Sequence, residues 1–333
     1  MLIVCPNLAI DHTIALPAVL LGAVQRTGPA ISVAGGKGAN IARACKALGG
    51  SPTVLGFLAT AGGTYLRELF AAELLALTGI EVAGVVRCCT TLIEQSGRVS
   101  LLNEPGPTVT DGDWQSLLAA AHVLATRLPA DSARAAVIGT GSLPRGSPVD
   151  GYARLVETVH LGGGECAIDA SGPALRAAAA AGADLLCPNL SEATGALSNE
   201  PGTVEQVDEQ AADIPDRAMK AAHRLVALGA RRAAVTAGSS GLAFAGPELE
   251  VWLPAVTVTA RNPIGAGDSL LAGTMLARER GVEWPAAVRF GMATAASSVE
   301  SQGAGVVDPN RVTAIEQQLI AAHAATALGQ QPR

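Results

Sequence analysis

The stretch AAVIGTGSLPRGSPVDGYARLVETVHLGGGECAID, residues 135–169, decides the fold. Its first six residues, AAVIGT (135–140), and its last five, ECAID (165–169), have the length and apolar content of buried strands. Between them DGYARLVETVHLG (150–162) repeats apolar residues at helical spacing, and Gly162 stands where that helix should stop. A strand, a helix and a second strand in this order form a βαβ unit, whose strands lie parallel in one sheet.

The unit recurs outward in both directions. LIVC (2–5), TVLGFL (53–58), DLLCPN (184–189) and AAVTAG (233–238) read as further strands. GANIARACKALG (38–49), TYLRELFAAELLAL (64–77), DWQSLLAAAHVLATRL (113–128) and DRAMKAAHRLVALG (216–229) read as helices. Thr110-Asp111-Gly112-Asp113 has the pattern of a helix start, and Gly49 and Gly229 mark stops. Near-continuous apolar strands fit burial on both faces, so the expected class is α/β: a doubly wound, mostly parallel sheet flanked by helices. Residues 12–33 and 82–104 break the rhythm with apolar-polar alternation and no helix between, which predicts a small antiparallel sheet standing off the main one. The acidic segment 199–213 reads as a solvated loop and the terminal QQPR as a frayed end. No repeat or interdomain linker appears, so residues 1–333 are expected to form a single domain.

Composition narrows the function. The chain is 49% hydrophobic and 16% charged, enough to bury a large core, and its net charge of −6 argues against a general nucleic-acid or membrane-surface binder. The start MLIVCPNLAID lacks a basic secretory n-region and no apolar run is long enough to span a bilayer, so the expected location is the cytoplasm. The six cysteines show no CxxC pair and read as reduced, mostly buried thiols.

Two glycine clusters carry the chemistry. In NPIGAGDSLLAG (262–273) a glycine-rich turn feeds a helix, whose first amides lack intrahelical partners and invite an anion. Asp268 would repel such an anion. Its presence has a reason if it takes a proton from an attacking hydroxyl while the amides hold a transferring phosphoryl group. A helix N-cap satisfying its own turn is the plainer alternative. In VAGGKGANIARACKALGG (33–50) a lysine between glycines precedes a helix and could meet an anionic or hydroxyl-rich ligand, with Asn40 nearby. No G-x-x-x-x-G-K-[ST] loop and no G-x-G-x-x-G fingerprint occurs, which speaks against P-loop and dinucleotide-binding proteins.

GGKGAN near the start and NPIGAGDSLLAG near the end, in this order, resemble the two signatures of the ribokinase/PfkB family of carbohydrate kinases. PNLAID (6–11), NEPGP (103–107), GSLPRG (141–146), IDASGPAL (168–175), PNLSE (188–192) and VTAGSSG (235–241) extend the resemblance over nearly the whole chain. NEPGP and GSLPRG are similar to the branch that phosphorylates ketohexose phosphates. The family usually has Asp or another small polar residue around Asn262–Pro263. That departure bears on the nucleotide and cation loop more than on Asp268.

The resemblance implies a ribokinase-like domain with a β-sheet lid made by about 12–33 and 82–104. It implies ATP and Mg²⁺ as cofactors, with a monovalent cation in many members. Asp268 would be the catalytic base, and the amides of Gly265, Ala266 and Gly267 the anion hole. Asp11, Gly36, Lys37 and Asn40 would line the sugar pocket, with Arg87 on the acceptor's phosphate and Arg98 and Arg145 as second candidates. Asn189 and Glu192 would hold Mg²⁺ through water. Thr236, Gly238 and Gly241 would border the nucleotide, with Ala293 and Ser297 beside adenine. The implied reaction is in-line phosphorylation of a ketohexose phosphate, fructose 1-phosphate to fructose 1,6-bisphosphate. Tagatose 6-phosphate, fructose 6-phosphate, an unphosphorylated sugar or a nucleoside are alternative acceptors, and a non-catalytic sugar-phosphate sensor is the alternative of another class. The expected partners are the phosphosugar and ATP, with a homodimer through the lid.

Overall fold

The computed structural model of the chain describes residues 1–127, 135–198 and 211–329. An interior strand of its main sheet is β1 (Leu2–Asn7), buried along its whole length because both faces and both edges are covered. On one edge it pairs in parallel with β4 (Thr53–Ala61), which pairs in parallel with β5 (Ala76–Val85). On the other edge come β8 (Ala136–Thr140), β9 (Glu165–Asp169), the two-residue β10 (Leu185–Leu186) and β11 (Ala233–Thr236), all parallel. An antiparallel hairpin, β12 (Gly241–Gly246) and β13 (Leu249–Pro254), closes that side. The chain therefore leaves β1 toward β4 and β5 and later returns to its other side at β8. This reversal opens a crevice at the carboxyl ends of the strands.

Helices cover both faces. α1 (Lys37–Ala47), α8 (Ala266–Glu279), α9 (Trp284–Val299) and α10 (Pro309–Gly329) pack on one another. α3 (Asp111–Thr126), α4 (Gly151–Leu161), α5 (Gly172–Ala180), α6 (Leu190–Leu197) and α7 (Ile214–Ala227) pack in succession. α2 (Gly63–Ala72) sits against β4 and β5. A buried ion pair fixes the far end of α8 to the sheet: Arg278 donates to Glu165 of β9 at 2.7 Å from Nη2 and 3.1 Å from Nε. The guanidinium carbons of Arg278 and Arg232 both lie over the Trp284 ring, 4.6 and 4.4 Å from its centroid.

A second, four-stranded sheet stands beside the first: β3 (Ile31–Gly35), β2 (Ala9–Leu16), β6 (Arg87–Glu94) and β7 (Val99–Asn103), in that order. The two irregular stretches of the sequence supply its strands, with two differences. The inner pair β2–β6 is parallel, so the sheet is mixed rather than antiparallel. It begins at Ala9 and not at 12, while 82–85 belong to β5 of the main sheet, where Val82 pairs with Ala59 and Val85 with Ala61.

The helix expected over 64–77 ends at Ala72. Leu74 takes a left-handed backbone (φ 54°), and Ala76 and Leu77 pair with Thr53 and Val54. A sheet edge therefore overrides a locally helical pattern. α3 starts as expected on a reciprocal cap: Asp113 N donates to Thr110 Oγ1 at 3.2 Å and Thr110 N to Asp113 Oδ2 at 2.8 Å. α1, α4 and α7 stop before Gly49, Gly162 and Gly229. All six cysteines are free, four of them buried. Among the described residues no helix is long and apolar enough to cross a membrane. Most of the expected acidic loop (199–210), Leu128 of the third expected helix and the QQPR end lie outside the described residues.

Candidate active site

The crevice is built from strand ends. Asn7 closes β1, Thr140 closes β8, Asp169 closes β9, Asn189 follows β10 and Thr236 closes β11. Two helices aim their N-termini at it. α8 begins after Gly265, whose left-handed backbone (φ 82°) disfavours any side chain, and a Cβ there would sit 3.1 Å from the Gly305 amide. Asp268 is the third residue of α8 and is buried. Burial pushes its carboxyl up to about 7, and the negative charges of Asp169 and Glu192 push the same way, while Lys37 and a hydrogen bond from Asn40 oppose them. The plainer reading of Asp268 as a cap satisfying its own turn does not hold: its carboxylate accepts from Asn40 Nδ2 at 2.8 Å, across from another helix. Of the neighbouring amides, that of Ala266 closes the turn onto Pro263 O (3.2 Å), whereas Gly267 lies in the first helical turn beside open space.

α1 supplies Lys37 and Asn40. Asn40 is buried, and its Oδ1 accepts from Arg43 Nη1 at 2.8 Å. The Lys37 ammonium lies 2.9 Å from Asp169 Oδ2 and 3.6 Å from Glu192 Oε1. Burial works against its charge, but Asp169, Glu192 and Asp268 outweigh burial and hold the proton more firmly than usual. Asp169 also accepts from Thr140 Oγ1 at 3.1 Å.

Asn189 and Glu192 form the N-terminal capping box of α6. Glu192 N donates to Asn189 Oδ1 (2.8 Å) and Asn189 N to Glu192 Oε2 (2.9 Å). The other Glu192 oxygen faces Lys37, and burial, followed by Asp169, raises its pKa against the pull of that lysine. Asn189 and Thr236 are joined by an isolated bridge. Asp169 and Glu192, both oxygen donors, already gather around a cation, the Lys37 ammonium. Among the described residues no group of three or more His, Cys, Asp or Glu forms a closed metal cage. That donor set suits Mg²⁺, which keeps several waters and takes few protein ligands.

From the small sheet comes Asp11, whose Oδ2 accepts from Gly36 N at 3.4 Å and whose pKa burial raises. Arg87, first residue of β6, donates from Nε (3.1 Å) and Nη2 (2.9 Å) to the carbonyl of Asn7. The Asn7 amide donates to Pro105 O at 3.1 Å and to Ser142 Oγ at 3.0 Å, tying NEPGP and GSLPRG to the end of β1.

The other expected residues make none of the contacts just described. Arg98 pairs with Glu94 at the β6–β7 hairpin. Arg145 is exposed after β8, and its carbonyl accepts from Val109 N. Ala293 and Ser297 are buried in α9, and Ser297 Oγ accepts from Asp308 N at 3.1 Å. Gly238 is exposed in the turn after β11, and Gly241 is buried at the start of β12. Sequence reasoning missed Asp169, Arg43 and Asn7. Asp169 was legible as the acid that ends a strand at the sheet's carboxyl edge. Arg43 was legible as the residue one helical turn past Asn40.

A doubly wound sheet whose crevice holds a carboxylate poised near neutrality at a helix N-terminus, next to a lysine set among acids, defines a sugar phosphotransferase of the ribokinase-like class. Residues 8–330 match the pfkB family carbohydrate kinase, and the chain belongs to that family. It is 32% identical over 310 residues to the 1-phosphofructokinase of Haloferax volcanii (92% of this chain, 93% of that protein). It is 30% identical over 312 residues to the 1-phosphofructokinase of Rhodobacter capsulatus (93% of each). Its structure is similar to that of phosphofructokinase-2 from Escherichia coli in complex with potassium, with a TM-score of 0.84, 25% identity, and coverage of 96% and 99% of the two chains. The protein is an ATP-dependent carbohydrate kinase.

Proposed function

We propose that this kinase transfers the γ-phosphoryl group of ATP to fructose 1-phosphate, giving fructose 1,6-bisphosphate. The names of the relatives support the acceptor. The observation that carries the mechanism is Asp268, buried at the start of α8 with a pKa of about 7 and hydrogen-bonded across to Asn40. A base poised near the working pH takes a proton at little cost. The acceptor hydroxyl attacks the γ-phosphorus in line, its proton passes to an Asp268 oxygen, and ADP leaves on the opposite side. The amides of Gly265, just before α8, and of Gly267, in its first turn, stabilise charge on the migrating phosphoryl group, and that of Ala266 joins them on leaving Pro263 O. Asp11 and Gly36 hold sugar hydroxyls. Lys37 moves from its carboxylates to phosphate oxygens once substrates enter. Thr236, Gly238 and Gly241 border the nucleotide.

Mg²⁺ bound with the nucleotide neutralises phosphate charge, and Glu192 and Asn189 would hold it through water, with Asp169 beside them. The potassium complex of the E. coli enzyme supports a monovalent cation as a further cofactor. Arg87 presents a guanidinium to the acceptor's phosphate, with its fork pre-set by the Asn7 carbonyl. The small sheet acts as a lid. Its outer rows place Ile31 and Leu101, then Ile93 and Val99, on one exposed apolar face that fits a second copy of the chain. Free, largely buried thiols accord with a cytoplasmic setting.

The test couples ADP release to a panel of acceptors: fructose 1-phosphate, fructose 6-phosphate, tagatose 6-phosphate and the free sugars. The highest kcat/KM is expected for fructose 1-phosphate, and a higher value for any other acceptor removes the substrate assignment. Asp268→Asn should lower kcat by ~10²–10⁴-fold with ATP binding retained. Turnover near the unmodified rate removes the base.

A further inference from the structure

We propose that Arg43, which takes no part in the chemistry just described, is a positioning residue that fixes which end of the Asn40 amide faces Asp268. The inference rests on reading Asp268 as the base. An Asn side chain has a donor end and an acceptor end of nearly the same shape, and a half-turn exchanges them. Only the donor end helps a carboxylate stay ionised; the acceptor end would set two oxygens against each other. Arg43 can only donate. Its Nη1 lies 2.8 Å from Asn40 Oδ1, so the oxygen is claimed on that side and Nδ2 is left to meet Asp268 Oδ2 at 2.8 Å.

Arg43 is held in turn. Its Nη2 donates to Glu73 Oε1 at 2.8 Å and also to Ala34 O, and its Nε donates to Glu73 Oε2. Glu73 follows the last turn of α2, and its Oε1 also accepts from Ala34 N at 3.1 Å. A fork clamped at both ends leaves Nη1 one direction. The chain Glu73–Arg43–Asn40–Asp268 therefore runs from the root of the small sheet, at β3, to the base at the head of α8. Gly305 closes the other side of Asn40, since a Cβ on Gly305 would come within 2.3 Å of the Asn40 carbonyl oxygen and its φ is +72°. The backbone of Asn40 is thereby fixed and only the amide is left to orient.

Without Arg43, Oδ1 has no cationic donor and the amide samples both orientations. Asp268 then loses its donor for part of the time, and its proton is held more tightly. The other groups facing Asp268 are Lys37 from α1, Asp169 from β9, Glu192 from α6, Cys5 from β1 and Cys187 after β10. None of them touches Arg43 in this network, so their influence is common to the variants compared.

The experiment is a double-mutant cycle on the intact enzyme, reading kcat against pH for the unmodified chain, Arg43→Met, Asn40→Ala and the double variant, with Asp268→Asn alongside. Arg43→Met should lower kcat at neutral pH about tenfold, the worth of a charge-assisted hydrogen bond. It should leave the KM for ATP within about twofold and move the acid limb to higher pH. In the Asn40→Ala background the same change should alter kcat by less than about twofold, because its effect travels through that amide. Arg43→Lys, which still donates, should recover part of the rate. If Arg43→Met does not fold, Glu73→Ala, which frees the fork, should move the acid limb the same way. An Arg43 effect of equal size with and without Asn40, or an acid limb that stays in place, overturns the proposal while an inactive Asp268→Asn leaves the base reading standing. Near-normal turnover of Asp268→Asn fails the base reading itself.

Discussion

Asp268 spends folding stability on function. Its native pKa is about 7 against an ordinary value of 3.8. Between those two pH values the folded chain keeps a proton that the unfolded chain gives up, so stability falls as pH rises through this window and stays lower above it. A shift of this size corresponds to about 4 kcal/mol. Asp268→Asn, which keeps an acceptor for the Asn40 amide, should therefore resist urea better than the unmodified enzyme by that amount at pH 8, with the gap closing toward pH 4. A gap independent of pH in the denaturation midpoints would show that the carboxylate is not strained by its surroundings. The same proton sets the activity profile, and kcat/KM should decline below about pH 7 as Asp268 fills.

At the scale of elements, one spacing serves two purposes. Asn189-x-x-Glu192 caps α6 through reciprocal bonds of 2.8 and 2.9 Å, and it also presents a carboxylate oxygen to the Lys37 cluster. The two roles separate in Glu192→Gln, because glutamine can still reach back to the Asn189 amide but carries no charge. Thermal stability should stay within ~0.5 kcal/mol. The Mg²⁺ concentration for half-maximal rate should rise about tenfold, as for other residues that orient a metal's shell. A fall in melting temperature without a change in Mg²⁺ dependence would confine Glu192 to the cap.

Such dual patterns also explain what the sequence could and could not tell. The Thr110 cap, the glycine stops and the β1–β4 and β8–β9 strands are local signals and were legible. The end of α2 was not, because AELLAL continues a helical stripe and only pairing with β4 turns Ala76 and Leu77 into strand. The parallel match of β2 with β6 joins segments about 80 residues apart and leaves no local trace. Lys37, Asn40 and Asp268 stood out by glycine context. Asp169 and Arg43 lack that glycine context: only the end of a strand marked Asp169 and only helical spacing from Asn40 marked Arg43, while their partners Lys37 and Glu73 lie on other elements.

At the scale of the molecule, the exposed apolar face of the small sheet makes assembly testable. Ile31, Ile93, Val99 and Leu101 lie in adjacent rows, and Leu101 is 54% exposed. The unmodified enzyme should sediment as a dimer. Ile93→Glu combined with Leu101→Glu should yield a folded monomer, since charges on both rows cannot be buried without partners. A monomeric unmodified chain would remove the proposed lid interface.

The way the two sheets are joined has its own consequence. The chain passes between β1 and β2, between β3 and α1, and between β5 and β6 through one residue each: Leu8, Gly36 and Val86. Only the return after β7 is longer. A panel stitched along one rim by three such short crossings can rock but has no slack to swing. Little freedom is then left to lose when it shuts over a ligand, and Asp11 and Arg87, each close to a stitch, move least.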